Sequence, residues 1–281
     1  MRYFVRERGG EAQIARGERR RWQRQGLWWA SPAGSESGWG INFAHQGNVI
    51  FATWFTYDST GKAWWMSMAA AKTAPGVFEG TFYQTRGPPF SAVPFDPARV
   101  TVAAVGTGTL TFSDANDVQF AYTVDGVSQA KVLTREVFAT PMPLCESGGA
   151  PDFAAATNYQ DLWWAAPPGS ESGWGINLTQ QGDVIFATWF TYDLDGTPLW
   201  LSVPAPRSGG SAFSGMLYRT TGPAFNAVPF KPAAVVATPV GTATFTFSDG
   251  AHAQFAYTVN GVAQAKAITR EIFVAPGTLC N

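Results

Sequence analysis

The chain has 281 residues and a formal net charge of −1, with 15% aromatic and 14% charged side chains. So few charges beside so many rings exclude a disordered polar chain, and the near-neutral balance offers no general affinity for nucleic acid. With no run of about 18 apolar residues, no membrane-spanning helix is expected.

Residues 1–26 form a basic preface with eight Arg and three Glu, including Arg19-Arg20-Arg21. A basic arm for nucleic acid or anionic lipid is one reading. The other, which we adopt as the expectation, is a disordered tail. The stretch lacks the apolar core of a signal peptide.

Residues 27–145 then recur as residues 162–280 at a constant offset of 135, with about 70 of 119 paired positions identical. The expected organisation is a repeat at 27–145, a linker at 146–161 rich in Gly, Ala, Pro and Asp, and a second repeat at 162–281. Helical periodicity is nearly absent. Short alternating runs broken by turn residues predict eight strands in the first repeat, near 27–30, 38–45, 49–58, 63–70, 77–85, 104–113, 117–124 and 127–138. Gln46-Gly47 joins the second and third. Asp58 to Gly61 joins the third and fourth. Asp125-Gly126 and its counterpart Asn260-Gly261 suit the positive φ angles of a type I′ hairpin. The one long connection, 86–99, holds several prolines together with Phe90 and Phe95. It is either a lid over a cavity or a stiff loop whose Phe residues plug a barrel end. The fold class predicted is all-β: two tandem, homologous, antiparallel up-and-down β-barrels of about eight strands each, with β-sandwiches as the alternative.

The turns also fix which residues share a face. One face carries Trp39, Ile41, Phe43, Ile50, Ala52, Trp54, Thr56, Trp64, Met66 and Met68. The other mixes rings with hydrogen-bonding groups: Asn42, Phe51, Thr53, Phe55, Tyr57, Trp65 and Ser67. Aromatic walls with a few placed polar groups describe a small-molecule pocket. The candidate ligand-binding residues are therefore Asn42, Phe51, Thr53, Tyr57, Trp65 and Ser67, and Asn177, Phe186, Thr188, Tyr192, Trp200 and Ser202 in the second repeat. A filled interior is the competing reading. One face lines the barrel, so the other needs cover from the second repeat or from another chain.

The Asp-Gly hairpin places Tyr122 opposite Gln129 and Phe120 opposite Lys131, with Tyr257, Gln264, Phe255 and Lys266 as counterparts. This is either a cation and an amide poised for a ligand, or a solvated lysine whose stem covers a ring.

Catalytic groups are scarce. His45 is matched by Gln180 and His252 by Asp117, which removes a shared triad or imidazole metal site. Among the shared carboxylates, Glu36 and Glu171 are the weak catalytic candidates, since each precedes a Gly-Trp-Gly segment. Asp58 and Asp114 fit turns, and Arg135-Glu136 point to opposite faces of a strand. No metal site and no cofactor is expected. The single cysteine of each repeat leaves open a Cys145–Cys280 bridge, two free thiols or a link between chains.

The segment Glu36-Ser-Gly-Trp-Gly-Ile-Asn42, followed by Gln46-Gly47 and Phe51-Ala-Thr-Trp-Phe-Thr-Tyr-Asp58, resembles a tandem repeat of uncharacterised secreted or envelope proteins of bacteria. That resemblance covers both repeats and implies export, with an extracellular, periplasmic or envelope location. It brings no activity with it. The eight-strand unit is also similar to avidin-like and lipocalin-like barrels in size and strand count, by fold analogy alone.

Three functions are compatible with these features. The first is a non-catalytic module for a small apolar-aromatic or carbohydrate ligand, one site per repeat. The second is a structural or assembly protein that mates its aromatic faces with other chains, through repeat–repeat packing or as a homo-oligomer. The third is a carboxylate-dependent hydrolase.

Overall fold

The computed structural model describes residues 24–147 and 151–281. Most of the basic preface, residues 1–23, lies outside them. Of the rest of that preface, Arg24 and Gln25 are buried and Gly26 opens the first strand.

Two closed eight-stranded barrels are present, each with strands in sequence order, so the barrel holds and the sandwich does not. The first comprises β1 (Gly26–Ala30), β2 (Gly40–Gln46), β3 (Val49–Tyr57), β4 (Ala63–Ala74), β5 (Val77–Arg86), β6 (Thr101–Phe112), β7 (Asp117–Val124) and β8 (Val127–Arg135). After β9 (Cys145–Ser147), the second comprises β10 (Asp161–Ala165), β11 (Gly175–Gln181), β12 (Val184–Tyr192), β13 (Pro198–Gly209), β14 (Ala212–Thr221), β15 (Val236–Phe247), β16 (His252–Val259) and β17 (Val262–Arg270). β18 (Thr278–Cys280) pairs with β9, and the Cys145–Cys280 disulfide joins them. Closure removes the exposed sheet edges that a lone antiparallel sheet presents. No helix among the described residues is long and apolar enough to cross a membrane.

The turns set the register as expected. Asp125 and Gly126 take φ of 48° and 78°, and Asn260 and Gly261 take 48° and 85°. Tyr122 faces Gln129 and Phe120 faces Lys131. Ile41 faces Trp54, which faces Met66, while Asn42 faces Thr53, which faces Ser67.

The first of the two faces turns inward. Trp28, Ile41, Phe43, Trp54, Met66, Phe82 and Phe120 are almost completely buried. Trp54 is the hub: its ring lies 5.1 Å from Phe120, 4.6 Å from Tyr122 and 5.8 Å from Phe82 across the barrel. Trp189 repeats this with Phe255 at 5.1 Å and Tyr257 at 4.5 Å. Both interiors are therefore filled with rings, each pair adding about 0.5–1.5 kcal/mol beyond its burial.

The hairpin lysines correct one expectation. Lys131 is not solvated: its side chain is 11% exposed and its ammonium lies 2.6 Å from Glu36 Oε2. It also sits 5.2 Å from the Trp39 ring centre. Lys266, Glu171 and Trp174 repeat the arrangement.

The residues leading into the second barrel, 158–161, are packed as well. Tyr159 stacks on Phe247 with ring centres 3.5 Å apart, and Asn158 and Gln160 are buried. Asp161 meets Arg270 at 3.1 Å with both side chains almost wholly enclosed. Burial raises the Asp161 pKa, and the Arg270 charge opposes that rise.

Candidate functional site

The outward face of each barrel, the one mixing rings with polar groups, packs against its counterpart on the other barrel. Phe55 lies 6.4 Å from Phe190 and 5.8 Å from Trp200, and Trp65 lies 4.9 Å from Phe190. The contacts are reciprocal. Trp65 Nε1 donates to Thr191 O at 2.8 Å, and Trp200 Nε1 donates to Thr56 O at 2.9 Å. Gln46 accepts from the backbone amides of Phe273 and Val274, while Gln181 accepts from those of Phe138 and Ala139.

The proline-rich loops bind the pair together. Phe90 from the first barrel reaches Trp189 in the second, and its carbonyl accepts from Tyr257 OH at 2.8 Å. Phe225 returns to Trp54 at 6.0 Å, and its carbonyl accepts from Tyr122 OH at 3.3 Å. Each loop thus plugs the neighbouring barrel. Glycine permits this approach: a Cβ on Gly87 would lie 2.6 Å from the Tyr192 ring, and one on Gly222 would lie 2.5 Å from the Tyr57 ring.

The two faces do not meet everywhere. A cleft of about 440 Å³ opens along the seam, walled by Leu27, Trp29, Trp39 and Phe55 of the first barrel. The second barrel contributes Phe186, Thr188, Trp200 and Ser202, and the segment after β8 contributes Glu136 and Phe138. The size falls within the usual range for small-molecule sites. Among the buried polar atoms on this wall that lack a hydrogen-bond partner among the described residues are Trp29 Nε1, Thr188 Oγ1 and Glu136 Oε2. Buried polar atoms are ordinarily satisfied, so several on one wall mark the place.

Glu136 is the one ionisable side chain lining the cleft. Loss of water around it pushes its pKa up to about 7, with no compensating charge. Glu271, its counterpart, is also raised to about 7, first by burial and then by Asp161. Across the exchange of repeats, Trp164 Nε1, Thr53 Oγ1 and Glu271 Oε2 lack partners just as their counterparts do.

Of the twelve candidate ligand-binding residues, Phe186, Thr188, Trp200 and Ser202 line the cleft. Phe51, Thr53, Trp65 and Ser67 hold the matching positions on the first barrel, with Phe51 set against Phe273 as Phe186 is against Phe138. Asn42 donates to Thr179 Oγ1 at 3.2 Å, within the interface. Asn177 is 1% exposed, and neither its amide nitrogen nor its oxygen has a partner among the described residues. Tyr57 donates to Gly38 O, and Tyr192 to Gly173 O and Thr85 Oγ1. Burial pushes both phenols up to about 12. None of the twelve turns toward a hollow barrel interior.

Glu36 and Glu171 are engaged elsewhere. Each places Oε2 between a lysine ammonium and the indole N–H of Trp39 or Trp174, the latter at 2.9 Å. A further cleft of about 340 Å³ beside Glu171 and Lys266 is lined by polar side chains that already have partners, Gln264 among them. Trp29 is not among the residues that the sequence singles out, and Glu136 is weighed there among the shared carboxylates only to be set aside. Their signal is alternation: Trp28 and Arg135 point inward, with the guanidinium 4.6 Å from the ring, so Trp29 and Glu136 point out.

Among the described residues, no group of three His, Cys, Asp or Glu is placed to hold a metal ion. No protein-family model, curated protein or solved structure matches the chain.

Proposed function

We propose that this protein is a non-catalytic binding protein that holds a small, largely apolar aromatic ligand in the seam between its barrels. The observation that carries the reading is the coincidence of one cleft, six aromatic side chains on its walls and the unpartnered polar atoms of Trp29, Thr188 and Glu136. Apolar walls supply affinity and a few polar atoms fix orientation. An aromatic ligand fits these walls better than a carbohydrate, whose many hydroxyls exceed the polar atoms on offer. Thr53, Trp164 and Glu271 extend the reading to a second site, each site built from both repeats rather than enclosed in one. The assembly reading needs free aromatic faces, and here the two faces cover each other. An exported location accords with the Cys145–Cys280 disulfide, because such bonds persist in oxidising compartments.

A thermal-shift screen with aromatic alcohols, acids, amines and flavonoids tests the reading. A compound at about one hundred times its Kd adds about 2.7 kcal/mol to native stability. That gain disappears in a Ser67→Phe, Ser202→Phe variant whose new rings fill the seam. A shift that survives in this variant places the ligand elsewhere and overturns the proposal, as does a screen without any shift.

A further inference from the structure

The wall of the seam cleft carries a chemical preference, which rests on the reading of that cleft as a ligand site. We infer that its ligand is an organic cation: an arylalkyl amine whose ammonium pairs with Glu136 while its ring lies among Trp29, Phe55, Phe186 and Trp200.

The first ground is an uncompensated carboxyl. Glu136 Oε2 is buried without a partner, and no other ionisable side chain lines the cleft. Cations nearby are committed elsewhere. Arg135, next in the chain, turns to the opposite face and donates to Ala115 O at 2.7 Å and Gln25 O at 2.8 Å. Lys131 is held by Glu36 behind Trp39. A half-buried carboxylate with one enclosed oxygen and no counter-charge carries a desolvation cost, and a partner that brings the missing charge recovers it.

The second ground is the wall itself. Ring faces attract an ammonium through their quadrupole, and more strongly where water is excluded. This protein uses that contact repeatedly: Lys131 over Trp39, Lys266 over Trp174 and Arg135 over Trp28. An anion would add like charge beside Glu136. A neutral ligand would leave the carboxylate more desolvated than before. The indole N–H of Trp29 can only donate, so an acceptor on the same ligand, such as a phenol oxygen, completes the set.

Isothermal titration of the full chain at pH 8 with three matched probes tests this. Tyramine is the cation, tyrosol the neutral alcohol and 4-hydroxyphenylacetate the anion, all on one phenol ring. The expected result is tyramine at least tenfold tighter than tyrosol, with no measurable binding of the acid. In a Glu136→Gln, Glu271→Gln variant, checked for folding by its melting curve, the tenfold preference vanishes while tyrosol affinity stays. Tyrosol or the acid binding as tightly as tyramine, and lost on filling the seam, overturns the cation and leaves the seam site standing. A preference that persists in the glutamine variant also overturns it, since the ammonium then pairs elsewhere. Silence from all three probes overturns it too, and the seam site falls with it only if the wider thermal screen is silent as well.

Discussion

A Glu136→Gln, Glu271→Gln variant removes two carboxyls that burial holds up to about 7, against about 4.5 for an ordinary glutamate. An acid whose pKa rises on folding binds its proton more tightly in the native state. Between about pH 4.5 and pH 7 the folded chain therefore holds more protons than the unfolded one, and stability falls as pH rises. The contribution is fully present below about 4.5 and lost once pH passes about 7. Each pKa unit corresponds to about 1.4 kcal/mol, which gives roughly 3 kcal/mol per site without screening. Both groups are only about half buried, so solvent screening cuts this to about 1–2 kcal/mol each. His45, lowered to about 4 first by burial and then by Arg24, works in the opposite sense, but both proteins contain it and it cancels in the difference. Melting curves of parent and variant at pH 5 and pH 8.5 provide the assay. The variant gains about 2–4 kcal/mol over the parent on going from the lower to the higher pH, or roughly 5–10 °C in Tm for a chain of this size. A difference between the two proteins that does not change with pH refutes the claim that Glu136 and Glu271 are carboxyls without counter-charges.

Gly222→Ala brings a Cβ to 2.5 Å from the Tyr57 ring and lowers stability by about 1–3 kcal/mol in urea unfolding, where an unhindered Gly→Ala change would raise it. Removing the disulfide by Cys145→Ser, Cys280→Ser frees a loop closed over a separation of 135 residues, and chain entropy sets the loss at up to about 5 kcal/mol. Denaturant titration with and without reductant checks it: the parent responds to reductant and the variant does not. Glu36→Gln leaves the Lys131 ammonium without its carboxylate and costs about 1–3 kcal/mol by the same measurement.

Local chemistry accounts for what could be read from the chain itself. The offset of 135 announces two copies of one fold. Asp125-Gly126 and Asn260-Gly261 fix hairpins because few residues adopt the positive φ that a tight turn needs. Once a turn is fixed, the period of two decides that Asn42, Thr53 and Ser67 share one face and Ile41, Trp54 and Met66 the other. Strand count and face membership derive from interactions within about a dozen residues. Strand limits were less legible: β4 runs on to Ala74 rather than 70, β6 begins at Thr101 rather than 104, and β8 stops at Arg135 rather than 138. Which face lies inside does not, because both are apolar and rings on either side satisfy the same pattern. Docking of the two barrels decided that. It seated Trp200 on Phe55, sent Phe90 and Phe225 into each other's barrels, and paired Cys145 with Cys280 among the alternatives left open. Glu136 gives the clearest instance. Its neighbours in sequence give no hint of a perturbed carboxyl, and its proton affinity rises because Phe186 and Trp200, 50 and 64 positions further along the chain, wall off the water around it. Desolvation is a property of everything packed around a group, so only the tertiary structure determines it.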